Sequence, residues 1–379
     1  MESQLKLNQN PNKYADENKT DFDAVSFMHT VYRLVWTKKE DYLFNDSHFH
    51  LTNYIQEGIS IDKFLVIMGN KVGRSTLFGI PLQQQWSYQN SGNYSPTYYL
   101  QTDAPLYYYS FTDAFIAMQY KSLSKEKQAR FDPMITGFNP SDMYAYKHIE
   151  RVLKTFPGVF TGIGEFSIHK EFVSAKVSGE VASLTNPALD SIMDFAGKVG
   201  LVVILHNDMD MPMAKQKTEP VYLNDMRDLL KRHSKTTIIW AHIGLGRIVY
   251  PAGYGSDSST DRPPNHTDIV KSILDDPAYS NVYFDISWDE VAKYIVSSPE
   301  IIKKCAELMD QYPDRFLFGT DVVAPPDQKF YMAVYEKYQP LWKALKPETS
   351  EKIRKQNYIK LFDAARKKVR AWEAANVKQ

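Results

Sequence analysis

The sequence predicts an α/β protein, a single (β/α)8 TIM barrel with an N-terminal extension, long βα loops and extra C-terminal helices, and three observations carry the prediction. Short apolar, β-rich runs alternate with longer segments of helical period; there are eight such runs; and polar residues able to do chemistry fall at their carboxyl ends. Such alternation is the pattern of parallel βαβ units, and the working groups of a barrel stand where its strands end and the βα loops begin. The 379 residues, 43% hydrophobic and 24% charged, are enough to bury a large core and lack the composition of a disordered chain. α/β barrels run past about 250 residues as one unit. One barrel domain is therefore expected over 41–379, preceded by a polar arm and helix over 1–40 that packs on it.

Taken in order, the eight candidate strands are YLFNDSHFH, STLFGIPL, PMITGFN, VFTGIGEF, LVVILHND, TTIIWAHIG, NVYFDIS and RFLFGTDVV. Helix signals lie between them. In TNPALDSIMDFAGKVG, Thr185 or Asn186 can cap, Pro187 suits the first turn and Gly200 suits the exit. Helices are also expected from Pro220 to His233 and from Asp268 to Leu274. The stretch from Asp327 to Val377 reads as terminal helices packed on the outside of the barrel, one starting at Thr349 or Ser350 with Glu348 and Glu351 near its positive end.

Composition also excludes. Lysine plus arginine equals aspartate plus glutamate, 45 against 45, so no global positive field favours nucleic acid. The single cysteine, Cys305, cannot form an internal disulfide and reads as a small core residue of a helix. The polar start lacks the basic-then-apolar order of a signal peptide and the length of a membrane span, so a cytoplasmic protein without a membrane partner is expected.

The polar strand ends turn a fold into a chemistry. The first run ends in His48-Phe49-His50, the fourth in Glu165, the fifth in His206, the sixth in His242 and the eighth in Asp321. Strand side chains alternate faces, so His48 and His50 point one way and Phe49 the other. His48, His50, His206 and Asp321 make a nitrogen and oxygen set suited to zinc, or to manganese, iron or nickel, with a position left for water. A lone strand-end histidine is more often a satisfied core residue. Four histidines and an aspartate on strand ends of one barrel are hard to explain that way.

This ordered set resembles the amidohydrolase superfamily from Leu43 to Phe362. Ala241-His242-Ile243-Gly244-Leu245-Gly246-Arg247 is similar to the A-H-x-G-x-G-R segment of its amidohydrolase-related branch, and Gln356-Asn357-Tyr358-Ile359-Lys360-Leu361-Phe362 to that branch's closing G-N-A-x-R-L-F, with glutamine for glycine. The resemblance implies a metal-dependent hydrolase in which His48, His50, His206 and Asp321 hold a divalent ion, zinc first. Asp321 would also take a proton from water, and His242 would polarise a carbonyl or protonate a leaving group. The substrate would be a small molecule with an amide, lactone or ester carbonyl, aromatic ones included; the alternative within the superfamily is a non-oxidative decarboxylase or hydratase. A homodimer is the family habit.

At the fourth strand the sequence departs from branches that carry a carboxylated lysine. Glu165 there resembles the TatD-like branch, in which a carboxylate bridges two ions and the enzymes are phosphoesterases. One ion is expected, with Glu165 as bridge to a second left open. Arg247 and His169 are candidate substrate contacts, each with a surface or salt-bridge role as its alternative. Asp46 and Asp285 read as supports of ligands or as buried hydrogen-bonded groups, not as catalytic residues. The Tyr-rich loop over 83–110, with Trp86, reads as a lid over a ring-containing substrate or as a self-packed cover.

Overall fold

The computed structural model describes residues 42–53, 57–81, 110–170, 183–212, 219–251 and 265–377. The N-terminal arm and most of the Tyr-rich loop, Trp86 included, lie outside the described residues. Residues from Tyr42 onward form one compact unit.

Each of the eight apolar runs supplies strand. They become β1 (Phe44–Asp46) and β2 (Phe49–His50), β3 (Val72–Leu77), β4 (Phe131–Ile135), β5 (Gly162–Ser167), β6 (Val202–His206), β7 (Ile238–Trp240), β8 (Val282–Asp285), and β9 (Phe316–Leu317) with β10 (Val322–Val323). The main sheet runs β1-β3-β4-β5-β6-β7-β8-β9, every neighbouring pair parallel. It curls until its ends meet. Ser47 donates to the Phe318 carbonyl (3.1 Å), Asp321 to that of His48 (2.7 Å), and β2 pairs with β10. The short breaks within the first and last runs are therefore where the barrel closes, and both fall beside predicted site residues.

Strand parity sorts the core into two layers. In β6, Val202 and Ile204 face one way with His206, and they pack with Met134, Ile239 and Leu317 in a cluster of their own. Val203 and Leu205 face the other way, into the larger cluster shared with the surrounding helices. The barrel interior is thus filled by side chains, as small barrels require. Its floor corrects one expectation. The helix Asn357–Asn376 does not merely lie outside: Tyr358, Leu361, Phe362 and Ala365 belong to the interior cluster and close the amino ends of the strands.

Helix boundaries follow local chemistry. Pro187–Val199 begins after Asn186, whose side chain accepts from Ala188 N–H (2.9 Å), and ends at Gly200 with φ of 86°. The helix Leu223–Arg232 and the Asn265-capped helix His266–Asp275 lie where their periodicity places them. The late helix starts at Pro347, earlier than the expected Thr349 or Ser350, because proline at the first turn needs no N–H partner. Cys305 lies buried in the helix Pro299–Gln311, and burial pushes its thiol up to about 12. Among the described residues no helix is long and apolar enough to cross a membrane.

Candidate active site

Five strand ends converge at the carboxyl face of the barrel. His48 and His50 share a face, and Phe49 between them turns outward to stack on Phe64 (centroids 3.6 Å apart). Phe78 sets its edge against both imidazoles, 5.3 Å from His48 and 4.6 Å from His50. Glu165 reaches the centre because Gly164 precedes it: a Cβ on Gly164, at φ of +111°, would lie 2.1 Å from the Ile204 carbonyl oxygen, so only glycine lets β5 pass this close to β6. Two site residues hold left-handed backbone that costs a non-glycine residue energy, His242 (φ 57°) and Asp321 (φ 52°).

Glu165 is the hub. Its Oε2 lies 3.4 Å from His50 Nε2 and 3.7 Å from His48 Nε2; its Oε1 lies 2.5 Å from His206 Nδ1 and 3.4 Å from His242 Nε2. Asp321 Oδ1 approaches His50 Nε2 (3.1 Å) and His48 Nε2 (3.4 Å). Two groups of donor atoms make corners that share Glu165, one of His48, His50, Glu165 and Asp321, the other of Glu165, His206 and His242; a third group is His48, His242 and Asp285. All their members are buried except Asp321, which is partly exposed; His48 and His242 are wholly inaccessible and Glu165 is 6% exposed.

Supporting bonds decide which nitrogen each imidazole presents. Asp285 Oδ2 can only accept, so His48 donates to it from Nδ1 (2.9 Å) and turns a bare Nε2 to the cluster. Ser287 must give its hydroxyl proton to Asp285 Oδ1, and therefore accepts from His242 Nδ1 (2.9 Å). His242 then also presents a bare Nε2. The Nε2 atoms of His48 and His242 are buried without a hydrogen-bond partner. Unsatisfied buried nitrogens aimed at two carboxylates suit a divalent cation, so the residues present fit the metal that the donor set implies. His206 differs: its Nδ1 faces Glu165 and its Nε2 faces Asp208 (3.0 Å), so both nitrogens are spent on carboxylates.

The carboxylates draw charge onto His48. Burial opposes that charge, but Asp285 and Asp321 hold its pKa well above the ordinary value, so a cation binding at Nε2 would displace a proton from it. Burial lowers that of His242. Burial would raise Glu165, yet Lys170 and His206 hold it well below the carboxylate range, and Asp321 is lowered against burial by His48, His50 and His242.

The remaining candidates are placed less centrally. His169 stacks on Tyr222 (centroids 3.7 Å, 5° between planes), and burial lowers its pKa. Arg247 lies 5.6 Å over Trp288, whose ring in turn leans on His242 (5.1 Å). Asp46 supports backbone and not an imidazole: Oδ1 accepts from His48 N–H (3.0 Å) and Thr320 N–H (2.8 Å), Oδ2 from the Thr320 and Tyr331 hydroxyls (2.6 Å each). It joins the first and last strands, and burial raises its pKa to about 6. Asp208, Ser287, Trp288 and Lys170 were not singled out in the sequence. Asp208 and Ser287 each lie two residues beyond a flagged position, His206 and Asp285, which is the one signal that could have found them.

The chain belongs to the amidohydrolase family: the family model described as amidohydrolase matches residues 46–364. It is thus an enzyme of a family of metal-dependent hydrolases. Solved structures similar to it include a dihydroorotase from Campylobacter jejuni (13% identity, covering 84% of this chain and 83% of that one, TM-score 0.48). Others are an amidohydrolase from Burkholderia multivorans (11%, 85% and 99%, 0.49) and a 2,6-dihydroxybenzoate decarboxylase from Rhizobium (11%, 85% and 99%, 0.48). No curated protein sequence matches the chain. At such identities the bond broken is left to the residues of the site.

Proposed function

We propose that the enzyme hydrolyses an amide, lactone or ester carbonyl of a small, ring-containing substrate, with one divalent ion, zinc first, held by His48, His50, Glu165 and Asp321. The observation that carries this reading is the convergence of the His48 and His50 Nε2 atoms on two carboxylates, with the His48 Nε2 buried and unpartnered. A divalent ion there would supply Lewis acidity, making water a nucleophile near neutral pH and polarising a carbonyl. The protein's own groups do the rest. Asp321, ionised because its pKa is depressed, takes the proton of the attacking water. His242 Nε2, bare in the neutral imidazole and 3.9 Å from Asp321 Oδ2, relays that proton to the leaving atom. Asp285 and Ser287 keep His48 and His242 in the tautomers these tasks need. Trp288, partly exposed and leaning on the His242 imidazole, presents ring surface at the site, which favours a substrate with a ring of its own.

The test is a panel of lactones, amides and esters assayed for acid release with and without chelator. Ion-dependent turnover that Asp321→Asn abolishes is expected. Carbon dioxide from aromatic carboxylic acids, with no acid released from any carbonyl substrate, would overturn the hydrolytic reading in favour of a lyase.

A further inference from the structure

The second corner of the cluster already faces a cation. Lys170 Nζ lies 3.6 Å from Glu165 Oε1, the same oxygen that meets His206 Nδ1 and His242 Nε2, and the lysine is 7% exposed. Its position is built. The backbone between Glu165 and Lys170 is tied to the end of β6: Ile168 donates to the His206 carbonyl (3.0 Å) and Asp208 donates to that of His169 (2.7 Å). The His169 ring, clamped on Tyr222, fixes the residue just before the lysine. The stem of Lys170 therefore starts from an anchored point and ends at the hub of the site.

We propose that Lys170 takes the place of a second metal: its ammonium fills the cationic role in the Glu165–His206–His242 corner, so the site holds one divalent ion and one fixed organic cation. The inference rests on the proposed ion between His48, His50, Glu165 and Asp321 and says why there is no second. An ion bound to Oε1 would sit about 2 Å from that oxygen. It would then lie within about 6 Å of Nζ, where two buried cations repel strongly. An ammonium neutralises Glu165 without coordinating His242. The His242 Nε2 stays free to carry a proton, which a second metal would prevent. Lys170 is on this account a positioning residue that acts through Glu165.

The experiment counts ions. The full chain is stripped, reloaded with excess Mn2+, desalted, and measured by elemental mass spectrometry and electron paramagnetic resonance. One Mn2+ per chain with an isolated six-line spectrum is expected for the parent and for Lys170→Arg. Lys170→Met should gain a second Mn2+, bound at least about a hundredfold more tightly than by the parent, with a spin-coupled spectrum. Lys170→Gln serves if the methionine variant does not fold. Two ions in the parent, or one ion in a folded Lys170→Met and Lys170→Gln, would overturn the inference while leaving the metal site standing. No ion in any variant would overturn both.

Discussion

Two buried ionic clusters sit at opposite ends of the same barrel, and they are finished differently. At the floor, Asp132 accepts from Arg74 Nε (3.1 Å) and Nη2 (2.6 Å), Arg366 Nη2 (2.7 Å) and the Tyr358 hydroxyl (2.8 Å), which welds the terminal helix to β3 and β4. Both its oxygens are satisfied, and its neighbours hold ordinary backbone. At the mouth, His48 Nε2 and His242 Nε2 are left without partners, and His242 and Asp321 hold left-handed backbone. A closed network of charges fixes a structure, whereas an open one stores the capacity to bind. The chemistry belongs at the end where hydrogen bonding is incomplete.

The largest effect expected from breaking this contrast is at the mouth. Asp321→Asn should lower kcat/KM by about 10^3-fold or more, the loss of a general base and a ligand together, with the unfolding midpoint unchanged or raised. At the floor the outcome should invert. Asp132→Ala removes the buried carboxylate that Arg74, Arg366 and Tyr358 share, leaving Arg74 only its pair with the half-exposed Asp363, and should cost about 3 kcal/mol in denaturant unfolding, while kcat/KM of the folded fraction stays within about twofold.

His266 sharpens the comparison because it braces the mouth from behind, its Nε2 hydrogen-bonded to the Ile243 carbonyl beside His242 (3.0 Å). Burial pushes its pKa from 6.5 down to about 4. Between those values the unfolded chain takes a proton that the folded chain refuses, so its contribution is complete above pH 6.5 and is lost as pH falls towards 4. The slope is about 1.4 kcal/mol per pH unit and the total about 3 kcal/mol. In His266→Phe, urea unfolding between pH 6.5 and pH 4 should lose one proton's worth of that slope; an unchanged slope would show that His266 is not held neutral. The smallest effect is expected for Asp285→Asn. It keeps the shape but weakens the hold on His48, and metal affinity by isothermal titration should fall about 10- to 100-fold.

The boundary errors of the sequence reading fall on the same contrast. The apolar runs STLFGIPL and PMITGFN mark the carboxyl halves of β3 and β4, while the strands begin earlier, at Val72 and Phe131. The residues passed over include Arg74 and Asp132. A charged pair reads as loop in a linear sequence, and its burial depends on Arg366 and Tyr358, more than two hundred residues away.

Period and punctuation, properties of neighbouring residues, were enough to determine the eight alternating units, the helix over Pro187–Val199 with its asparagine cap and glycine exit, and the shared face of His48 and His50. They also put His206, His242 and Asp321 at strand ends, because each apolar run stops at a polar residue where the strand gives way to its βα loop. Only the tertiary structure decided that Glu165 is the hub, that Asp285 serves His48 from 237 residues away, that His206 turns both nitrogens to carboxylates, and that Lys170 meets Glu165 Oε1. Those relations arise when the barrel closes and brings its first and last strands together, a distance that no local pattern encodes.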